Sequence, residues 1–206
     1  MPSRNRVKIY SPDSYYHIYN RGVNKRKIFL DDDDCRVFLN LLKRYLDTAP
    51  IKDKKGREYE WLHEQLQLLA YCLMPNHFHL LVYQKSPDAI TRLMKGVSTS
   101  YTIYFNKKNK RVGPLFQDIF KASQISSDEY LQHISRYLHL NPIDYKNWPF
   151  SSLDYYLRRK HAGWIDPAPI LGMFDRGEYD KFVADYEAHK RVLDDIKEEL
   201  ANASEL

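Results

Sequence analysis

Cysteine is almost missing from this chain: Cys35 and Cys72 are the only two in 206 residues. They lie far apart with no CxxC spacing, which excludes a disulfide framework and a thiolate zinc site and leaves two buried thiols as the expectation. No apolar run approaches the roughly 18 residues that a membrane span needs. The N-terminal stretch MPSRNRVKIYSP has no apolar h-region, so a cytoplasmic protein is expected. A GxxxxGK[ST] phosphate loop is also absent, and no nucleotide cofactor is indicated. Internal repeats and low-complexity segments are lacking as well.

What is present suits one substantial domain. Hydrophobic residues make up 43% and aromatics 14%, including 17 Tyr, so the chain is globular and rich in amphipathic surface. The net charge is +5, which favours a polyanionic partner. Lys and Arg cluster at Arg4 to Lys8, Arg21 to Lys27, Lys107 to Arg111 and Arg158 to Lys160, whereas Asp194 to Glu205 is mostly acidic. Any one cluster reads as solvated surface; several of them around a metal site would mean more.

The chain is organised around LQLLAYCLMPNHFHLLVYQ, residues 66–84. Two apolar runs meet at Pro75-Asn76, a turn pair, which predicts a β-hairpin with strands ending near Met74 and restarting near His77. Because strand side chains alternate, His77 and His79 share one face while Phe78, Leu80 and Val82 share the other and can be buried. Two adjacent imidazoles are half of a divalent metal site. Taken alone, the pair is as well explained by polar residues on a solvated face.

Around this hairpin, Tyr15 to Asn20 reads as a strand closed by Arg21-Gly22, with His17 and Tyr19 alternating against Tyr16 and Ile18. Asp31 to Asp34 looks like a helix start, since carboxylates favour the positive end of a helix dipole, and Val37, Phe38, Leu41, Leu42 and Tyr45 follow at helical spacing. Ala49 to Glu60 is a polar loop. Asp88 to Asn106 carries an apolar stripe of period near 3.6 through Ile90, Leu93, Met94, Val97, Tyr101, Tyr104 and Phe105. A basic turn, NKKNKRVGP, leads into Leu115 to Gln124, read as a strand. Ser127-Asp128 then caps a third helix running to about Leu140, buried through Leu131, Ile134 and Leu138 and ended by Asn141-Pro142. This order predicts an α+β, ferredoxin-like antiparallel sheet of βαββαβ type with helices on one face. Pro149 to Lys160 and Tyr179 to Lys197 look helical. Residues 1–157 form the expected main domain and 158–206 a C-terminal helical extension.

On the third helix Tyr137 and Asn141 are one turn apart on one face, with His133 a turn earlier. Tyr137 reads as a core-edge aromatic and Asn141 as a helix C-cap unless the helix packs beside the histidine strand. If it does, His77, His79 and the Asn141 amide oxygen can ligate one ion. Imidazole and oxygen ligands together suit Mn²⁺ or Mg²⁺, and the Tyr137 hydroxyl becomes a candidate nucleophile.

The His77-Phe78-His79 triplet matches the HUH motif, and Tyr137 matches the single tyrosine of IS200-type Y1 transposases. MPNHFHLLV, SYTIYFNKKNKRVGPLFQDIFKAS, YLQHISRYLHLNPI and PFSSLDYY together resemble the REP-associated tyrosine transposases in particular, over roughly residues 14–157. That subgroup has Tyr-x-x-x-Asn-Pro, seen here as Tyr137 to Pro142, where ordinary insertion-sequence relatives carry a glutamine. The long tail departs from the compact relatives. The resemblance implies a metal-dependent single-stranded DNA endonuclease and strand transferase. In it Tyr137 forms a 5′-phosphotyrosine bond on REP-like hairpin DNA, His77, His79 and Asn141 hold the metal, and the protein works as a monomer or homodimer. Arg21, Lys107, Lys108, Lys110, Arg111 and Lys121 are the residues expected to contact phosphates, giving affinity and salt dependence without sequence choice. The competing reading, from another class, is a non-catalytic module that binds single-stranded nucleic acid on a ferredoxin-like sheet. A structural zinc protein fits less well, because the usual four ligands are not in view.

Overall fold

A computed structural model describes residues 10–185. The regular elements are β1 (Ser14–Arg21), α1 (Asp32–Leu46), β2 (Leu66–Met74), β3 (His77–Gln84), α2 (Ala89–Lys108), β4 (Lys121–Ile125), α3 (Asp128–Leu140) and three short helices, α4 (Leu153–Tyr156), α5 (Ala168–Leu171) and α6 (Glu178–Ala184). The strands form one antiparallel sheet in the order β2-β3-β1-β4. This is the ferredoxin-like arrangement expected from the order of the elements.

The alternation along β3 splits the sheet into two faces. Phe78, Leu80 and Val82 pack with Tyr16 and Ile18 against Phe38, Leu42, Leu93, Val97 and Tyr101 of α1 and α2. Phe78 is fully buried, its ring 5.0 Å from that of Phe38. Opposite them, Leu81 packs with Cys72 and Ile125 against Leu131, Ile134 and Leu138 of α3. A β-bulge between Leu68 and Ala70 reverses the alternation along β2, so that Leu66 and Leu68 before it and Tyr71 and Leu73 after it share the first core while Leu69, Ala70 and Cys72 face the second. Both cysteines are buried free thiols.

Local chemistry sets the helix starts. Asp31 caps α1, its Oδ1 accepting from the Asp34 N–H at 3.0 Å. Asp34 itself is buried, accepting from the Leu30 N–H, the Tyr104 hydroxyl and the Lys108 amine. The aspartate run is therefore a cap and a buried anchor. Ser127 caps α3 through the Tyr130 N–H.

Two elements are shorter than their sequence pattern suggests. Leu115 to Gln124 is not one strand: Phe116 makes a lone bridge to Gly22, and regular pairing starts only at Lys121. Between them Asp118 breaks the ladder, its side chain accepting from the Ile119 N–H and its carbonyl from the Asn20 amide. Pro149 to Lys160 contains only the single turn α4, because its first part runs along the free edge of β2. There the Leu73 N–H donates to the Phe150 carbonyl and the Ser152 N–H to the Tyr71 carbonyl, both at 2.9 Å. This strap covers an otherwise open edge. The helix expected over Tyr179 to Lys197 is represented by α6; its remainder, like the basic arm Arg4 to Lys8 and the acidic stretch Asp194 to Glu205, lies outside the described residues. Residues after 157 pack onto the sheet, Trp164 against Tyr71 at 5.6 Å between ring centroids, and Tyr179 and Val183 in the core under α3. No helix among the described residues is long and apolar enough to cross a membrane.

Candidate active site

Antiparallel partners share a face of the sheet. The register pairs Arg21 with His77 and Tyr19 with His79, and Lys121 with Tyr19. All five therefore lie on the side covered by α3. That helix brings Tyr137 edge-on to the His79 ring at 5.5 Å between centroids. One turn later it sets the Asn141 Oδ1 3.2 Å from His77 Nε2. Helix and histidine strand thus pack side by side, and Tyr137 stands over His79 of its own chain. The modest reading of each residue also holds: Tyr137 is 8% exposed at the core edge, and Asn141 is the C-cap of α3.

Proton positions follow from the partners. Asn76 donates its amide nitrogen to the Lys25 carbonyl, which turns its Oδ1 toward His77 Nδ1 at 2.7 Å. An amide oxygen only accepts, so His77 carries its proton on Nδ1. Burial lowers the His77 pKa and Arg21 adds to the effect; the hydrogen bond that Nε2–H of the charged ring would give the Asn141 oxygen acts the other way. In the neutral ring Nε2 is a bare lone pair, and it faces a second acceptor, Asn141 Oδ1. Two acceptors 3.2 Å apart repel each other unless a cation sits between them. Two ligands bonded at about 2.1 Å and at right angles to one ion would be about 3.0 Å apart.

His79 completes the set. Its Nδ1 is 2.9 Å from His17 Nε2, while its Nε2 is buried without a hydrogen-bond partner. Burial, reinforced by the neighbouring His17 and His77, drives its pKa well below the ordinary value, so the ring is neutral. An orphaned imidazole nitrogen beside a pair of opposed acceptors fits a divalent cation held by two imidazoles and an amide oxygen. No group of three or more His, Cys, Asp or Glu side chains that could hold a metal ion occurs among the described residues, so the candidate set relies on the amide oxygen as its third ligand. Burial pushes the Tyr137 hydroxyl up to about 12, and its hydrogen bond to Asn141 acts in the opposite sense. At neutral pH the phenol is protonated, so nucleophilic use requires a base or a positive charge nearby.

The other candidates are distributed unevenly. Arg21 and Lys121 flank the histidine face, Arg21 bonded through Nε to the Gln117 side chain. Lys107 is exposed at the end of α2, and Lys110 follows in a turn with φ of 49°. Lys108 is drawn inward by Asp31 and Asp34, each at 2.7 Å, and Arg111 ties its turn together through the Asn106 side chain and the Pro114 carbonyl. His133, although on the face of Tyr137 by spacing, bonds Arg136 at 2.7 Å and packs on Phe182, away from the histidine pair. Sequence reasoning passed over two residues of the cluster, His17 and Asn76. Asn76 was visible only as a turn former, and His17 only as one of an alternating strand, because the signal that joins either to a ligand histidine is a contact across the fold.

A family model described as "Transposase IS200 like" matches residues 11–141. No curated protein matches the chain. Among solved structures it is similar to a REP-associated tyrosine transposase bound to a REP hairpin, with a TM-score of 0.53 and 16% identity over 81% of this chain and 92% of that one. A putative transposase from Deinococcus radiodurans R1 is similar with a TM-score of 0.39 and 14% identity, over 79% of this chain and 98% of that one. The first of these carries the same fold. The family match spans β1 to the end of α3, so it takes in both histidines of β3, the tyrosine above them and the asparagine that closes the helix: the chain belongs to the IS200-like transposase family.

Proposed function

We propose that this transposase is a metal-dependent single-stranded DNA endonuclease and strand transferase that acts on hairpin DNA of the REP type through Tyr137. The observation that carries the reading is the convergence, within one chain, of Tyr137 with His77, His79 and the Asn141 amide, where His79 Nε2 is buried without a hydrogen-bond partner. A module that only bound DNA would have no use for a buried ring nitrogen left without a partner. His77, His79 and Asn141 would hold Mn²⁺ or Mg²⁺, which when bound would supply Lewis-acid polarisation of a phosphate and neutralise its charge.

The chain's own residues do the rest. Tyr137 Oη attacks the scissile phosphorus; the new O–P bond forms as the bond to the 3′ oxygen breaks. The phenol releases its proton and the leaving 3′ oxygen takes one up. One strand end becomes a 5′-phosphotyrosine and the other a free 3′-OH. Attack by that hydroxyl, or by another 3′-OH, reverses the sequence and joins strands. The phosphodiester energy stays in the covalent link, consistent with the lack of a nucleotide-binding loop. Asn141 has two roles, its oxygen facing His77 and its hydrogen bond to Tyr137 favouring the ionised phenol. Arg21 and Lys121 flank the histidine face, where they suit a phosphate backbone. Lys107 and Lys110 extend that contact with lower weight, and Lys108 and Arg111 contribute chiefly through the fold.

Labelled single-stranded hairpin DNA from the neighbourhood of the protein's own gene, mixed with protein and either Mn²⁺ or EDTA, provides the test on a denaturing gel. A covalent adduct that needs the metal, His77 and Tyr137 is the expected result. Tight hairpin binding with no adduct under any metal would replace the nuclease with a binding module.

A further inference from the structure

His17 is the most buried histidine of the cluster, at 1% exposed, and its role is not set by the reaction chemistry. It lies on β1 opposite Leu81, two pairs along from the Tyr19–His79 pair and so on the same face, and reaches diagonally across the sheet. Its Nε2 is 2.9 Å from His79 Nδ1. The two rings are inclined by only 22°, with centroids 5.0 Å apart, an arrangement in which one ring edge addresses the other and an in-plane N–H···N bond forms. Both outer nitrogens, His17 Nδ1 and His79 Nε2, are buried without a hydrogen-bond partner.

One proton lies between the rings, and it has two possible owners. If His17 donates, His79 must carry its own proton on Nε2, where it blocks any cation. If His79 donates, its Nε2 is a lone pair directed at the site. The companion ligand shows which state the site requires, because Asn76 fixes His77 in the same Nδ1-protonated form. Resting on the metal reading above, we propose that His17 is a positioning residue that accepts the Nδ1–H of His79 and so holds the His79 Nε2 lone pair toward the divalent ion. Partners of this kind on the far nitrogen of a metal-binding imidazole fix its tautomer and its direction. Asn76 and His17 are then equivalent devices, one on each ligand, supplied by the hairpin turn and by the neighbouring strand.

Two measurements test this. The first is ¹⁵N-edited imidazole NMR on the wild-type protein in EDTA. The expected spectrum has His79 protonated on Nδ1 with an unprotonated Nε2; protonation on Nε2 overturns the proposal and needs no variant. The second is Mn²⁺ titration, followed by EPR of the free ion, on wild type, His17→Phe and His17→Gln, each checked for folding by circular dichroism. His17→Phe is expected to raise the Mn²⁺ dissociation constant by about 10–100-fold, and His17→Gln, whose amide oxygen still accepts a hydrogen bond from the His79 Nδ1–H, to restore affinity close to wild type. Unchanged affinity in His17→Phe, or equal loss in both variants, overturns the acceptor role. Should His17→Phe fail to fold, the tautomer decides alone. Failure of the metal reading itself looks different: wild type would then show no Mn²⁺ binding that His77→Ala removes.

Discussion

Two buried histidine clusters lie on the same side of the sheet, and they are built on opposite terms. His139 of α3 sits in a closed chain of hydrogen bonds: its Nε2 is 2.7 Å from Ser152 Oγ and its Nδ1 2.7 Å from the Tyr179 hydroxyl, which in turn donates to Ser135 Oγ. Ser152 also accepts from the Tyr71 N–H of β2, and Ser135 donates to the Gln132 carbonyl. Every polar atom has a partner. In the His17–His79 pair, by contrast, two ring nitrogens have none. Burial does not distinguish them, since His139 and His17 are both held neutral by desolvation with pKa values near 3. Unsatisfied hydrogen-bonding capacity does. The closed cluster fastens α3 to β2 and α6, and the open one leaves the unpartnered nitrogen that the proposed metal site needs.

The comparison breaks most visibly at His139. His139→Ala strands the Tyr179 and Ser152 hydroxyls beside a new cavity, and is expected to lower stability by about 3 kcal/mol in denaturant melts. Wild-type Mn²⁺ affinity in the fraction that remains folded is expected alongside; a parallel loss of affinity would merge the two clusters into one functional unit.

Acid comes next. For both His17 and His139 the folded pKa, about 3, lies below the unfolded value near 6.5. The unfolded chain therefore binds more protons between those limits. Stability is full above pH 6.5 and falls as pH drops toward 3, by up to about 1.4 kcal/mol per pH unit for each residue. Thermal melts from pH 7 to pH 5 check this, and a midpoint that stays flat across that range would show that neither ring is constrained to be neutral.

Smaller effects sharpen the contrast. Tyr179→Phe removes one hydroxyl from the closed chain and is expected to cost about 1–2 kcal/mol, with adduct formation retained. His79→Leu removes a ring already short of partners; stability is expected to move by less than about 1 kcal/mol while the adduct disappears. A large stability loss in His79→Leu would mean that the open cluster is structural after all. At the basic surface, Arg21→Ala is expected to weaken hairpin binding and lower its salt slope by about one. Lys108→Ala, which deprives the buried Asp34 of its cation, is expected to cost about 1 kcal/mol of stability and to leave the slope unchanged.

The legibility of these features differs with the range of the signal behind them. The hairpin at Pro75-Asn76, the caps at Asp31 and Ser127 and the alternation that separates His77 and His79 from Phe78 all rest on neighbours within a few residues, where propensity and period speak directly. The strand at Leu115 was overextended because apolar alternation continues past the point where Asp118 turns the backbone aside. The helix over Pro149 to Lys160 was overextended because its first residues answer to the open edge of β2, which the segment's own pattern does not contain.

The sequence by itself determined the α+β order, the face on which the two histidines lie, and the four residues whose types suit the chemistry, because period and residue identity are local properties. Tertiary structure decided whether those residues meet and in what protonation state. His17 and His79 are 62 positions apart and His77 and Asn141 are 64, so their approach depends on strand register and on how α3 crosses the sheet. Only that packing brings two buried imidazoles and an amide together and leaves a ring nitrogen of His79 without a partner.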